Sequence, residues 1–281
     1  MKDPLEALYE AVLPVNPDPT YAAELRARLV QLLLRGTGET MSNDTTAAPP
    51  VEGDVGYASI WVPDVTRAEA FYAAVLGWQF APGSIPEGRQ VTGLPNQHIG
   101  MWGGQERSGA LVSFTVEDAH ETIRRIRDAG GSADEPNEEP YGLAAMCADD
   151  QGMPFSIFQS PAAERGPAPD AGNGEIVYLT FEVADTAKFR DFFTIVFDWR
   201  FSQGHAGGDR FNIHGIRPLS GLSGGHPETT IVPQYVVEDI DAAVNRVREA
   251  GGSANDPQQQ PYGRSTECED DQGTRFYLAQ L

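Results

Sequence analysis

A shift of 121 residues lays this chain on itself. Residues 55–160 align with 176–281 without a gap, and about a third of the aligned positions are identical. The shared positions include Tyr57/Tyr178, Asp64/Asp185, Phe71/Phe192, Trp78/Trp199, Arg89/Arg210 and Cys147/Cys268. The stretches PYGLAAMCADDQG (140–152) and PYGRSTECEDDQG (261–273) are near copies, and each carries one of the chain's two cysteines. A tandem duplication this regular restricts the fold to two copies of one unit.

Each copy divides again. A short alternating strand ends in Asp, a helix follows, and several Gly-punctuated strands close the half-unit. YASIWVPD runs into TRAEAFYAAVLG, where Thr66 and Glu69 read as a capping box and Gly77 as the stop. LVSFTVED runs into HETIRRIRDAGG, with Asp118 and Glu121 as the cap and Gly130 at the end. The second copy repeats this with YLTFEVAD and VPQYVVED. Ala58, Ile60 and Val62 share one strand face, as do Val112, Phe114 and Val116, and these faces are expected under the helices. The opposite faces are mixed: Tyr57, Ser59 and Trp61; Leu111, Ser113 and Thr115; Tyr178, Thr180 and Glu182; Val232, Gln234 and Val236. A face neither wholly apolar nor wholly solvated predicts a concave surface the size of a small ligand.

Residues 1–36 read as a helical extension, with Leu25, Leu29, Leu32 and Leu33 on one helix face, and 37–54 as a linker. A second linker is expected at 161–175, between units spanning 55–160 and 176–281. The net charge of −21, from 41 acidic and 20 basic side chains, repels nucleic acid and anionic membranes. No apolar run is long enough to span a bilayer, and two cysteines make no disulfide scaffold. The expectation is a cytoplasmic protein, a monomer or homodimer, with a small molecule as its partner and neither nucleic acid nor membrane. The DDQG segments read as turns, and the cysteines as small buried hydrophobes on the strands between turns.

The segments PDVTRAEAFYAAVLGW, VEDAHETIRRIRDAGG and the DDQG-x-x-F ending resemble the vicinal oxygen chelate superfamily, which includes glyoxalases, bleomycin-resistance proteins and extradiol dioxygenases. The likeness covers 55–281 and is greatest to actinobacterial chains with two such domains. It implies an α+β fold of two tandem glyoxalase-like domains, each of two βαβββ modules forming cupped mixed sheets. In metal-dependent members a His on the opening strand and a Glu on a closing strand hold a divalent ion. Here those positions carry Tyr57, Tyr178, Leu111 and Val232, and then Ser156 and Tyr277. No metal and no cofactor are therefore expected.

Glu182 stands on the mixed face of an opening strand where its repeat mate is Trp61. A carboxylate among apolar neighbours is held toward its protonated form and suits acid–base work, so Glu182 and Tyr178 are the candidate catalytic pair. Against that stands a Glu that merely pairs with an Arg. Tyr57, Ser59, Trp61, Ser113, Thr115, Thr180, Gln234, Ser156 and Tyr277 are the candidate ligand-binding residues, with the tyrosines and tryptophan as flat walls for an aromatic molecule. His98 and His214 lie on or beside strands. His120 opens a helix, and His205 and His226 fall in Gly-rich loops and read as surface residues. No GxSxG nucleophile elbow running from a strand into a helix, no Walker loop and no GxGxxG after a strand is read. The expected function is metal-independent binding of a small aromatic molecule. The alternative is a cofactor-free lyase, isomerase or cyclase of secondary metabolism, and a metal-dependent dioxygenase or glyoxalase ranks behind both.

Overall fold

The computed structural model describes residues 51–139, 142–159, 171–204 and 207–281. The expected N-terminal helices, most of both linkers, and Pro140, Tyr141 and His205 lie outside the described residues.

The first repeat runs β1 (Val55–Trp61), α1 (Val65–Leu76), β2 (Gln79–Pro82), β3 (Gly88–Thr92) and β4 (Ile99–Trp102). It continues with β5 (Gly109–Val116), α2 (Ala119–Asp128), β6 (Ser132–Ala133), β7 (Asn137–Glu139), β8 (Gly142–Ala148) and β9 (Pro154–Gln159). The second repeat opens with β10 (Ile176–Glu182), α3 (Thr186–Phe197), β11 (Arg200–Gln203), β12 (Arg210–His214) and β13 (Leu219–Ser223). It closes with β14 (Thr230–Val236), α4 (Ile240–Glu249), β15 (Ser253–Ala254), β16 (Gln258–Gln260), β17 (Gly263–Glu269) and β18 (Arg275–Gln280). Each repeat forms one nine-stranded mixed sheet. The orders are β2-β3-β4-β1-β5-β9-β8-β6 and β11-β12-β13-β10-β14-β18-β17-β15, with β7 and β16 pairing β8 and β17. The opening strands of the two half-units meet antiparallel at the centre of each sheet, β1 on β5 and β10 on β14. The fold is α+β, as expected.

The helices begin where the strand-end aspartates allow. Asp64 accepts hydrogen bonds from the Thr66 and Arg67 N–H groups, and Asp185 accepts from those of Ala187 and Lys188. Asp118 and Asp239 cap the other two helices. The Thr66/Glu69 capping box does not form, because Asp64 already satisfies the first-turn donors and Glu69 pairs with Arg89 at 2.7 Å instead. Likewise Asp118 accepts from the Glu121 N–H as expected, but the Glu121 carboxylate turns to Arg125. Gly77 ends α1 with φ 73°, a left-handed conformation that a side chain disfavours.

The apolar strand faces lie under helices, and the helices form a layer shared by both sheets. Phe193 of α3 contacts Phe189 and Trp199 of its own repeat and Phe114 and Phe155 of the other. Phe71 and Tyr72 of α1 in turn meet Phe276, and Trp78 meets Tyr235. Buried residues from both repeats therefore make one continuous core.

The DDQG turns join the repeats, a role their turn chemistry does not announce. The Asp64 N–H donates to Gln272 Oε1 (2.8 Å), and the Gln272 amide donates back to the Asp64 carbonyl (2.9 Å). Gln151 clasps Asp185 in the same two-point way, at 3.0 Å in both directions. Arg67 donates from both Nε and Nη2 to Asp271 Oδ2. Gln151→Ala and Gln272→Ala are each expected to lower stability by about 1 kcal/mol, and nearly additively because the two clasps share no partner. Urea denaturation of the single and double variants checks this. Equal stability of all four proteins would show that the clasps contribute nothing.

The cysteines are the buried hydrophobes that the sequence implies. Cys147 and Cys268 are free and 6% and 2% exposed, and burial pushes both thiols up to about 12. No described helix is long and apolar enough to cross a membrane.

Candidate functional site

The face of each sheet turned away from the helices is the natural place for a ligand. Although no helix covers it, Leu111 is only 5% exposed, Ser59 8%, Val232 1% and Gln234 8%. Side chains this enclosed on an uncovered face imply a sheet curled around them. Register then sorts the candidates into two groups, one on each sheet. On the first sheet Tyr57, Ser113 and Ser156 form one cross-strand row, with Ser59 beside Leu111 in the next. On the second, Tyr178, Gln234 and Tyr277 form the matching row, with Thr180 beside Val232.

A glycine stands behind each opening-strand tyrosine. A Cβ at Gly100 would collide with the Tyr57 hydroxyl, and one at Gly221 with that of Tyr178. The missing side chains let each ring lie across the neighbouring strand. Tyr57 donates to Gln90 Oε1 at 3.3 Å, and the Ser113 and Ser156 hydroxyls are hydrogen-bonded to each other. Desolvation lowers the pKa of His98, in sequence just before β4, which favours the neutral ring. Thr115 does not line the open face freely. It is 2% exposed, its hydroxyl has no hydrogen-bond partner, and a Cβ at Gly56 would meet both its Oγ1 and the Phe158 ring.

The two faces diverge at the ends of their opening strands. On the first, half-exposed Trp61 meets Trp102 edge to face, with centroids 5.5 Å apart and planes at 89°. On the second the same two positions hold Glu182 and Ser223, which are register partners. Glu182 is not a solitary carboxylate in an apolar setting. Arg275 grips both of its oxygens, at 2.7 and 3.2 Å, and extends to Glu267 at 2.7 Å. The hydrogen bonds to Glu182 raise the Arg275 pKa further, fixing it as a cation. His226 Nδ1 approaches Glu182 Oε2 at 3.4 Å, and His226 Nε2 lies 3.0 Å from Ser223 Oγ. Burial raises the pKa of both Tyr178 and Tyr277, so each phenol keeps its proton. A recess of about 190 Å³ opens at the edge of this cluster, lined by Ser253, Asn255, Glu267, Cys268, Glu269 and Arg275.

Reasoning from residue patterns missed Trp102, Gln90, Arg275, Ser223 and the contact made by His226. One signal was available for several of them. Comparing repeat mates sets Trp61, Trp102, Gln105, Met146 and Pro154 against Glu182, Ser223, His226, Glu267 and Arg275. Polar groups replace apolar ones at four of the five positions, and the fifth changes an amide to an imidazole.

Residues 58–158 match the family model described as a glyoxalase-like domain. The first repeat is similar to a glyoxalase-like domain. Over most of its length the chain also has the fold of solved structures. A catechol 2,3-dioxygenase superposes with a TM-score of 0.62 at 13% identity, covering 82% of this chain and 88% of the other. The Mn(II)-bound glyoxalase from Novosphingobium aromaticivorans gives 0.60 at 16% identity, covering 82% and 83%. In sequence the chain is 25% identical to the anthracycline biosynthesis proteins DauV of Streptomyces sp. (strain C5) and DnrV of Streptomyces peucetius, with 78% of this chain and 90% of each relative covered.

The side chains at the superfamily's ion positions do not fit a divalent cation. Leu111 and Val232 have no donor atom, and the Tyr57 hydroxyl is engaged with Gln90. Neutral phenols and a serine hydroxyl are poor substitutes for imidazole and carboxylate. Among the described residues no group of three or more His, Cys, Asp or Glu is arranged to hold a metal.

Proposed function

We propose that the glyoxalase-like chain binds a small, flat aromatic molecule on the open face of its first sheet, without a metal ion. The half-exposed Trp61–Trp102 pair carries this reading. Two indoles held edge to face present both a ring face and a ring edge, which is how an aromatic guest is gripped. Tyr57 adds a third wall, while Ser113, Ser156 and Gln90 supply a few polar groups to orient the guest. The relatives in Streptomyces support the choice of ligand class. Anthracyclines are flat fused-ring compounds, and an aromatic product or precursor of secondary metabolism suits this face.

The test is a fluorescence titration of the full chain with 1,8-dihydroxyanthraquinone, a neutral fused-ring probe. Trp61→Ala and Trp102→Ala are each expected to weaken binding by 10-fold or more, the usual loss for a buried aromatic anchor. Binding that survives both substitutions unchanged would overturn the reading.

A second reading, proton-transfer catalysis as in a lyase, isomerase or cyclase, draws on Glu182 and Tyr178. The Arg275 fork gives Glu182 the character of an anchor for other side chains and not of a lone base, so this reading ranks below ligand binding.

A further inference from the structure

Glu182, His226 and Ser223 stand in a fixed order. A carboxylate only accepts, so in the neutral ring His226 Nδ1 carries the proton toward Glu182 Oε2. Nε2 is then the acceptor, and the Ser223 hydroxyl donates to it across 3.0 Å. Carboxylate, imidazole and hydroxyl in this sequence are what activate a serine nucleophile, and such arrangements are recognised by geometry and not by chain position. The 3.4 Å separation of His226 from Glu182 is typical of a catalytic contact before substrate tightens it.

The surroundings hold the three groups in place. The His226 N–H donates to the Val183 carbonyl at 3.1 Å, and the Val183 N–H donates to the Ser223 carbonyl at 3.0 Å. The loop carrying His226 is thereby stitched to the end of β10. Gly225 turns with φ 80°, and a Cβ at Gly224 would strike the Asp209 carboxylate, so the Ser-Gly-Gly-His turn needs both glycines. Arg275 keeps the buried carboxylate oriented; Ser223 is 9% exposed and the His226 side chain one-third exposed, so a small molecule would reach the pair from the His226 side. None of the three chemistries is inherited from the duplicated scaffold, because the mates are Trp61, Gln105 and Trp102.

We propose that Ser223, His226 and Glu182 form a nucleophilic serine site that takes the acyl group of small activated esters. Ser223 Oγ bonds to the ester carbonyl carbon as its proton passes to His226 Nε2. The carbon–oxygen bond to the alcohol breaks and the alcohol leaves with that proton. Water, deprotonated by the same imidazole, then releases the acid and restores the serine. Ser223 is the nucleophile, His226 the general base, and Glu182 the residue that positions it. The site lies on the second sheet and does not depend on aromatic binding at the first.

Two probes test it on the full chain: p-nitrophenyl acetate for turnover, and diethyl p-nitrophenyl phosphate for a persistent phosphoserine ester located by peptide mass spectrometry. The expected result is an adduct on Ser223, lost in Ser223→Ala. Its rate should fall at least 100-fold in His226→Asn, the scale of one general base. Glu182→Gln should slow labelling less, while circular dichroism confirms that each variant is folded. No adduct on Ser223 in the folded wild type, adducts only on tyrosines or the N-terminal amine, or labelling indifferent to His226→Asn would each overturn the proposal. Anthraquinone binding is expected to be unchanged in Ser223→Ala, so the two functional readings fail separately.

Discussion

Replacing Phe193 with alanine is expected to cost about 4 kcal/mol, within the range for deleting a fully buried phenyl ring. Phe193 lies in α3 of the second repeat and is fully buried. Its ring stacks on Trp199 at 4.8 Å and leans on Phe189 at 4.4 Å. Across the boundary it reaches Phe155 at 5.7 Å and Phe114 at 6.1 Å, both on strands of the first repeat. The cavity would therefore open in the layer that both sheets share, and neither repeat could relax into it alone. Chemical denaturation should show one transition moved to lower denaturant with its slope unchanged. Two separate transitions, with only the second repeat weakened, would show that the repeats fold as independent cores.

Acidification is expected to stabilise the protein through Asp149. Its Oδ1 accepts from the Gln151 and Met153 N–H groups, whereas its Oδ2 is buried without a hydrogen-bond partner. Burial outweighs the two hydrogen bonds and raises the carboxyl to about 6. An unfolded aspartate titrates near 4, so the folded chain holds this proton more tightly. The resulting stabilisation is fully present below about pH 4 and is lost as the pH rises through about 6. A displacement of about two units corresponds to about 3 kcal/mol. In Asp149→Asn the amide oxygen can keep both N–H contacts and no longer titrates. Relative to wild type, that variant should gain about 2 to 3 kcal/mol between pH 4 and pH 7.5, read from urea midpoints at each pH. Parallel stability curves would refute the assignment. Asp270, the repeat mate, is shifted in the same direction by burial and accepts from Tyr72 at 3.2 Å, so it adds to the wild-type slope.

The strands, helices and duplication were legible because they are local. Alternation placed Ile60 and Phe114 under helices, strand-end aspartates marked the helix starts, and Gly77 marked a stop. The capping box at Thr66 and Glu69 was misread because two acids competed for the same donors. The shorter Asp64 reaches them from the strand end, which frees Glu69 for Arg89. Tyr57, Ser113 and Ser156 were identifiable as a set because sheet faces follow from a period of two. Arg275 and His226 were not, since β18 and the loop after β13 reach Glu182 only through pairing order and a turn.

Legible from the chain alone are two copies of a βαβββ pair, the apolar strand faces, and the residues at the positions where the superfamily it resembles carries ion ligands. These follow from residue type and spacing along the chain. Tertiary structure alone decided that the helices form one layer shared by both sheets, that the DDQG turns clasp the opposite repeat, and that Glu182 is held by Arg275 beside His226 and Ser223. The physical reason is range. Periodicity and caps act over a few residues, whereas a salt bridge between positions 182 and 275 exists only after sheet register has brought their strands together.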